Sequence, residues 1–277
     1  MRYLKRIPVL AVSLALLARF AAPAFCAGRP APDPLGYGER FWGDLKELPG
    51  KPGSWSAGQW ELAGGVLAAT GGALFFDHRV ANHYAHRHAE DLHELSKAVT
   101  HFGDYKYQVP IISGFWLGGY ALGSVKMRQI AADSAEASII AAFLINPALC
   151  YMTGRALPSS GESPSKFRPF TWHRYSFPSG HAAAAFALAS VMDADLRDTF
   201  GYWQTPVLYG GALGVAQSRL YDQKHYLSDV ILGGSIGWAI GTWVASKDRV
   251  PGSSIPKKGP NLAIMPYPNG IMAIARF

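Results

Sequence analysis

The phrase YSFPSGHAAAAF, at residues 175–186, is followed after an apolar segment by SRLYDQKHYLSD, at residues 218–229. Ser179 and Gly180 stand just before an alanine-rich run, where the sequence predicts the start of a helix. The free backbone N–H groups of a helix N-terminus, with the helix dipole behind them, bind anions well. The first phrase therefore predicts an anion site at the start of a helix.

The second phrase supplies side chains suited to phosphate chemistry. His225 and Asp229 are four residues apart at the start of a further apolar run, so they are predicted to share one face of a helix. There the carboxylate can hold one imidazole nitrogen and leave the other free to react. Arg219 adds a planar set of donors that matches a phosphate group. With His181 from the first phrase, these residues predict a phosphoryl-transfer site.

The two phrases also carry a resemblance. FPSGH and SR-x5-H-x3-D, in this order, resemble the second and third signature motifs of the type-2 phosphatidic acid phosphatase and vanadium haloperoxidase superfamily. The resemblance extends from about Trp60 to Ala245. It implies an all-α bundle of about six helices, which agrees with the number of apolar stretches. The haloperoxidases of this superfamily hold vanadate, whereas the phosphatases need no cofactor, so we expect neither a cofactor nor a protein-bound metal.

The resemblance further implies a role for each polar residue. His225 attacks phosphorus to form a phosphohistidine, and Asp229 orients it and stabilises its positive form. His181 protonates the leaving oxygen and then activates water. Backbone N–H groups and one guanidinium hold the phosphate oxygens. This implied phosphate-binding set is Ser179, Gly180 and Arg219.

The first signature motif of the family, K-x6-RP, is degenerate here. Its place is taken by GRALP at residues 154–158, with Cys150 where the lysine is expected and Leu157 where the arginine is expected. Two charge-assisted donors are therefore missing from the predicted phosphate site. We expect a nearby cation to replace them. The candidates, in order of preference, are Arg155, Arg168 and Lys166. For the last two the alternative is a solvated basic loop.

The composition favours a membrane or a very buried core. Hydrophobic residues make up 49% of the chain and charged residues only 16%. Several apolar stretches rich in Gly and Ala are close to, or slightly under, the roughly 20 residues that span a bilayer. Before the site they are Trp60–Phe76, Val109–Val125 and Ala135–Met152, and the last one after it is Leu227–Ala245. We expect membrane association, with a soluble periplasmic bundle as the alternative.

The N-terminus resembles a secretory signal, which we assign to residues 1–27. A basic start is followed by an apolar core at Val9–Leu17 and by small residues suited to cleavage at 22–24. An uncleaved anchor is the alternative. Either predicts export to a bacterial cell envelope, and we expect the inner membrane with the site facing the periplasm. Residues 28–57, rich in Pro and Gly, are predicted to form an extended lead-in.

The helical domain is predicted over residues 58–248, followed by a tail at 249–277. In that tail, two apolar runs flank Pro-Asn-Gly, and Asn-Gly between such runs is a strong hairpin signal. The predicted strands are Asn261–Tyr267 and Ile271–Phe277. The fold class is therefore all-α with a small C-terminal β-hairpin.

Three histidines between the first two apolar stretches invite a metal interpretation. His83, His86 and His88 do not fall on one helical face, and no cysteine supports them. An exposed amphipathic helix is the preferred interpretation. No metal site is predicted.

These observations predict an envelope phosphatase of the acid phosphatase type that hydrolyses a phosphomonoester or pyrophosphate of a lipid. The net charge of +7 suits anionic lipid surfaces and phosphorylated substrates, and nothing in the pattern indicates nucleic acid or an obligate protein partner. One alternative is a weakly catalytic family member that binds phosphorylated lipid, motivated by Cys150 and Leu157. The other is a vanadium-dependent haloperoxidase, which needs its full set of cationic ligands.

Overall fold

A computed structural model describes residues 34–85, 90–171, 176–247, 261–267 and 270–276. The predicted signal at residues 1–27 lies outside this part of the chain, as do His86 and His88. Helices make up most of the described residues, which confirms the predicted all-α class.

Ten α-helices follow one another along the described residues. They are α1 Pro34–Glu47, α2 Ala57–Leu74, α3 Asp77–Ala85, α4 Glu90–Thr100, α5 Tyr105–Ala121, α6 Val125–Ser138, α7 Asn146–Thr153, α8 Gly180–Phe200, α9 Gln204–Tyr221 and α10 Leu227–Lys247. A π-helical segment, Ile139–Ile145, joins α6 to α7 without a break. Short 3₁₀ turns lie at Leu48–Ser54, His101–Gly103 and Pro158–Ser160. The predicted apolar stretches therefore become the long helices of a bundle.

Helix α8 is at the centre of the bundle and packs against α6, α9 and α10. Its alanine-rich sequence suits this position because small side chains let neighbouring helices approach closely. One apolar cluster joins α8 to the α6–α7 rod and to α10, and another joins it to α9. Gly180, the first residue of α8, therefore lies at the end of a helix that is packed on several sides.

Glycines on α10 set the distance to α8. A Cβ at Gly237 would lie 2.1 Å from the carbonyl oxygen of Ala183, and one at Gly233 would lie 2.3 Å from that of Ser179. Such distances exclude any side chain at these positions unless the helices move apart. The first turns of α8 and α10 are consequently in direct backbone contact.

The predicted extended lead-in at residues 28–57 is wrong from Pro34 onward, where α1 begins. Arg40 forms ion pairs with Asp133 and Glu136 of α6, and Phe41 packs against the central apolar cluster. Proline is tolerated in the first turn of a helix, because the N–H that it lacks would have no partner there. Tertiary contacts therefore make a helix of a segment whose Pro and Gly content suggests none.

Two helical segments of the described residues are long and apolar enough to cross a membrane, Val125–Thr153 and Leu227–Lys247. By length and composition alone this is weak evidence, because the core helix of a soluble protein passes the same test. At the C-terminus, strands β1 Asn261–Tyr267 and β2 Gly270–Arg276 pair antiparallel, with Tyr267 opposite Gly270.

Candidate active site

The residues predicted from the two phrases meet at one end of the bundle. The start of α8 is tied to the first turn of α10 by a hydrogen bond from Ser179 N to Asp229 O, at 2.9 Å. The loop that follows α9 is closed by a hydrogen bond from His225 N to Arg219 O, at 3.2 Å. Three helix ends therefore bring the predicted catalytic and phosphate-binding groups together.

The N-terminus of α8 is capped and held by neighbouring side chains. The Ser179 hydroxyl caps the helix by accepting a hydrogen bond from Ala182 N at 3.4 Å. Asn146 of α7 donates to Pro178 O at 2.7 Å, and a Cβ at Gly180 would lie 3.0 Å from its side-chain oxygen. The glycine therefore lets Asn146 brace the turn. The backbone N–H of Ser179 donates to Asp229 O, so this group is not available to a phosphate in the way that the sequence predicts.

His225 is oriented differently from the prediction. It precedes α10 instead of lying on it, and its Nδ1 is 3.7 Å from Asp229 Oδ2, beyond hydrogen-bonding distance. Nδ1 is instead 2.7 Å from the carbonyl oxygen of Ser176. A carbonyl can only accept, so Nδ1 carries the proton and the neutral ring has its lone pair on Nε2. The ring is therefore in the tautomer that a nucleophile requires.

Asp229 is fully buried and has three partners. Its carboxylate accepts hydrogen bonds from the Ser176 hydroxyl, from Tyr226 N at 2.7 Å and from Arg155 Nη1 at 2.5 Å. Ser176 thus connects the two catalytic candidates, since its carbonyl holds His225 and its hydroxyl holds Asp229. Asp229 acts on the imidazole through its charge and through this shared serine.

His181 lies in the first turn of α8, near Arg219 and His225. Its pKa is lowered to about 4, mainly by burial and in part by Arg219 and His225, while Asp104 opposes the shift. Its ring is therefore neutral at pH 7 until negative charge enters the site. A bound phosphate dianion supplies such charge and favours the protonated form.

Arg219 lies at the end of α9 with its side chain 9% exposed. Nη2 donates to Asp222 at 2.7 Å, and Nε lies 3.4 Å from the Ser218 hydroxyl. No acceptor among the described residues occupies Nη1, which leaves that nitrogen for a ligand. Burial lowers the pKa of Arg219, and Asp222 opposes the shift. The role of Arg219 in binding phosphate stays a prediction.

Arg155 does not occupy the predicted position of a phosphate ligand. Its side chain is 1% exposed, and its guanidinium binds Asp229, Ser228 and Asp77 at 2.5–2.7 Å. Its Nε donates to Pro164 O at 2.8 Å. A guanidinium so engaged has no free edge to offer to phosphate. The prediction that Arg155 binds phosphate is therefore wrong, because its partners are the carboxylates of Asp229 and Asp77.

Lys166 and Arg168 are also paired with a carboxylate. Both side chains are 47% exposed, and both approach Glu162 Oε2, at 3.2 and 3.7 Å. Their alternative interpretation as a solvated basic loop describes this arrangement. Of the four cationic side chains that the sequence predicts for the phosphate, Arg219 is the one that lies near His181.

The two vacant motif positions are occupied by apolar groups. Cys150 is 2% exposed, with its sulfur 3.6 Å from Pro178 O and 3.7 Å from Asn146 Oδ1. It therefore packs under the turn that precedes α8. Leu157 precedes the 3₁₀ turn and is partly buried.

Two residues at the site are missed by sequence reasoning, Ser176 and Asp77. Both are fully buried and both belong to the hydrogen-bond network of Asp229. Neither residue belongs to a recognisable motif. Ser176 is a single polar residue directly before FPSGH, and Asp77 is the first residue of a histidine-rich stretch. The sequence offers one signal for Asp77, which is that this charged residue directly follows the apolar stretch Trp60–Phe76.

The described residues contain no group of His, Cys, Asp and Glu arranged to hold a metal ion. His83 is exposed and its ring contacts the ring of Tyr84 at 5.3 Å.

Comparisons with known proteins agree with the motifs. Residues 134–249, which include His181, His225 and Asp229, match the sequence profile of the PAP2 superfamily. No curated protein shows significant sequence similarity to the chain. A transmembrane PAP2-type phosphatidylglycerolphosphate phosphatase from Bacillus subtilis is similar in structure, with a TM-score of 0.48 and 18% sequence identity over 62% of this chain and 84% of that one. The match at residues 134–249 confirms the resemblance of the motifs to the PAP2 superfamily.

Proposed function

We propose that the protein is an envelope phosphatase that hydrolyses a phosphomonoester or pyrophosphate of a lipid through a phosphohistidine. The observation that supports this most directly is the tautomer of His225. Its Nδ1 is committed to Ser176 O at 2.7 Å, so Nε2 is available to attack phosphorus. The adjacent helix N-terminus and Arg219 supply donors where negative charge develops.

The proposed reaction has two steps. In the first, Nε2 of His225 forms a bond to phosphorus while the bond to the leaving oxygen breaks, and protonated His181 gives that oxygen a proton. In the second, His181 takes a proton from water, the oxygen of that water bonds to phosphorus, and the phosphorus–nitrogen bond breaks. The buried negative charge of Asp229 stabilises the imidazolium form that His225 takes between the steps.

Aromatic side chains beside the site support a lipid substrate at a membrane surface. Gly103 packs against the start of α8, where a Cβ would lie 2.8 Å from His181 O. The aromatic residues on either side of it, Phe102, Tyr105 and Tyr107, are all exposed. Aromatic rings of this kind are enriched at membrane interfaces. We therefore expect the acyl part of the substrate to remain in the bilayer while the phosphate reaches His225.

The test is phosphate release by the purified protein in detergent across four lipid substrates and one soluble ester. The lipids are phosphatidic acid, phosphatidylglycerophosphate, undecaprenyl pyrophosphate and lipid A phosphates, and the soluble ester is p-nitrophenyl phosphate. We expect release from at least one lipid and its loss in His225→Ala. The matched control is His78→Ala, which removes an exposed histidine of α3. Full activity in His225→Ala would overturn the mechanism.

A second candidate, binding of phosphorylated lipid without turnover, is favoured by the cations missing from the site. Cys150 and Leu157 are apolar, Arg155 is engaged by carboxylates, and Arg168 pairs with Glu162. This candidate predicts vesicle binding without phosphate release, and a gain of activity in Leu157→Arg. The shortage of cations weighs more heavily against a vanadium haloperoxidase, which halide oxidation in added vanadate tests directly.

A further inference from the structure

A buried charge cluster lies behind Asp229. It consists of two carboxylates with one guanidinium and one hydroxyl between them: Asp77, Arg155, Ser228 and Asp229. Each is no more than 1% exposed. Arg155 Nη1 bonds to Asp229 at 2.5 Å, and its Nη2 bonds to Asp77 at 2.6 Å. One guanidinium therefore divides its charge between a proposed catalytic carboxylate and a second carboxylate that the proposed mechanism does not use.

Asp77 holds the first turn of α10 as well as Arg155. Its Oδ1 accepts a hydrogen bond from Ser228 N at 2.9 Å, and its Oδ2 accepts one from the Ser228 hydroxyl at 2.6 Å. Ser228 directly precedes Asp229. An acidic side chain is stabilised at a helix N-terminus, where backbone N–H groups have no partner within the helix. Asp77 thus fixes both the backbone that carries Asp229 and the cation that its carboxylate binds.

Aromatic rings enclose this cluster. The guanidinium carbon of Arg155 lies 4.2 Å from the ring centre of Tyr226 and 5.2 Å from that of Phe167. Charges in such an enclosure are poorly screened, so each has a larger effect on its neighbours than it would at the surface. A change of charge at Asp77 must therefore alter the electrostatic potential at Asp229 and, beyond it, at His225.

We propose that Asp77, which lies outside the matched PAP2 region, is a positioning residue that orients Asp229 through Arg155 and Ser228 and sets the net charge behind His225. The proposal rests on the proposed function. It predicts that the reaction depends on a helix upstream of the family motifs. The residues of the two phrases, 175–186 and 218–229, would then be insufficient for activity without Asp77 of α3.

The charge argument gives the proposal a specific signature. His225 faces Asp229 on α10, His181 on α8 and Arg219 on α9, with the cluster behind Asp229. Two carboxylates and one guanidinium give that cluster a net charge of −1. Asp77→Asn brings it to zero, so a protonated imidazole beside it is less stabilised. Adding Arg155→Gln to that variant leaves Asp229 as the remaining charge and returns the cluster to −1.

The experiment measures kcat and KM as functions of pH for the native chain and its variants. For Asp77→Asn we expect kcat to fall by about tenfold or more, while KM stays within about threefold, because Asp77 does not touch the phosphate. We also expect the acidic limb of kcat/KM to move to lower pH. In the double variant this limb should return toward its native position. We expect kcat to stay low, because the hydrogen bonds that Asp77 and Arg155 make with Ser228 and Asp229 are lost.

Asp193→Asn is the matched control. Asp193 is also a buried aspartate, 5% exposed, and it pairs with Arg197 and Thr205 towards the other end of α8. Its loss should lower thermal stability without moving the acidic limb. If the role of Asp77 were purely structural, Asp77→Asn would likewise lower thermal stability without moving the acidic limb. An unmoved limb in a folded Asp77→Asn protein, or one that the double variant does not restore, overturns the proposal.

A second measurement does not require turnover. In detergent-solubilised protein with ¹⁵N-labelled histidine, the imidazole signal of His225 is assigned by its loss in His225→Ala. Its titration midpoint should move to lower pH in Asp77→Asn and return in the double variant. If the native chain releases phosphate from none of the substrates, the proposed function fails, and this titration still decides whether Asp77 acts on His225. If Asp77→Asn does not fold, Asp77→Glu replaces it. A longer side chain with unchanged charge should lower kcat and leave the limb in place, and a shifted limb would contradict the proposal.

Discussion

His181 is a residue of the candidate site whose pKa is strongly changed by its surroundings. Its pKa is lowered to about 4 from 6.5, mainly by burial and in part by the nearby Arg219 and His225. Between these two pH values the unfolded chain therefore binds more protons at this residue than the folded chain does. Stability then rises with pH in this window and is lost as pH falls through it. Acid weakens the fold at the residue that the proposed mechanism uses as a proton donor.

We expect His181→Ala to flatten this dependence. The native chain should lose stability from pH 6.5 to pH 4.5, and the variant should lose less, because the group responsible is absent. Urea or thermal unfolding at several pH values measures the difference. His78→Ala serves as the control, since that side chain is exposed and its loss should leave the native slope. Equal slopes in native chain and His181→Ala would contradict the assignment.

At the level of elements, the contact between α8 and α10 decides how closely the catalytic groups approach. Gly233, Gly237 and Gly241 recur every fourth residue and face the backbone of α8. This spacing places them on one face of α10. The first turns of the two helices can then meet, so that Ser179 N reaches Asp229 O. Any side chain on this face pushes the two halves of the site apart.

Gly237→Ala is expected to destabilise the fold by about 1–3 kcal/mol and to lower activity, because its Cβ would lie 2.1 Å from Ala183 O. The matched control is Gly211→Ala on α9, where a Cβ meets nothing within 4 Å. That change should be neutral or should stabilise the helix by about 0.5–1 kcal/mol. Thermal unfolding and phosphate release measure both effects. A Gly237→Ala protein as stable and active as native would show that the helices separate at little cost.

For the whole molecule, the distribution of apolar side chains favours a lipid environment. Large hydrophobic residues on several helices are more than half exposed; examples are Leu67, Leu117, Val207 and Leu213. Extended exposed apolar surface marks membrane or partner contacts. Charged side chains are found at helix ends, where the ion pair of Lys247 with Asp44 is an example.

We therefore expect the mature protein to fractionate with membranes and to require detergent for release. The exposed apolar side chains provide the physical reason, since burying them in lipid removes their area from water. Fractionation after osmotic shock, followed by carbonate and detergent extraction, gives the readout. A soluble periplasmic phosphatase serves as the release control. Quantitative release by osmotic shock alone would favour the soluble bundle.

The sequence by itself determined the helical class, the helix N-terminus at Ser179 and the family of the site. Each depends on local pattern, because capping residues, apolar periodicity and motif spacing are readable over short windows. It also indicated that the first motif lacks its cations, since Cys150 and Leu157 are visible as plain substitutions.

Only the tertiary structure decided what the polar side chains bind. Nδ1 of His225 bonds to Ser176, 49 residues away, and Arg155 bonds to carboxylates 74 and 78 residues away. α1 likewise depends on contacts of Arg40 with α6, more than 90 residues further along the chain. No short pattern encodes such pairings, because they arise where helices distant in sequence pack together and each buried charge must find a partner.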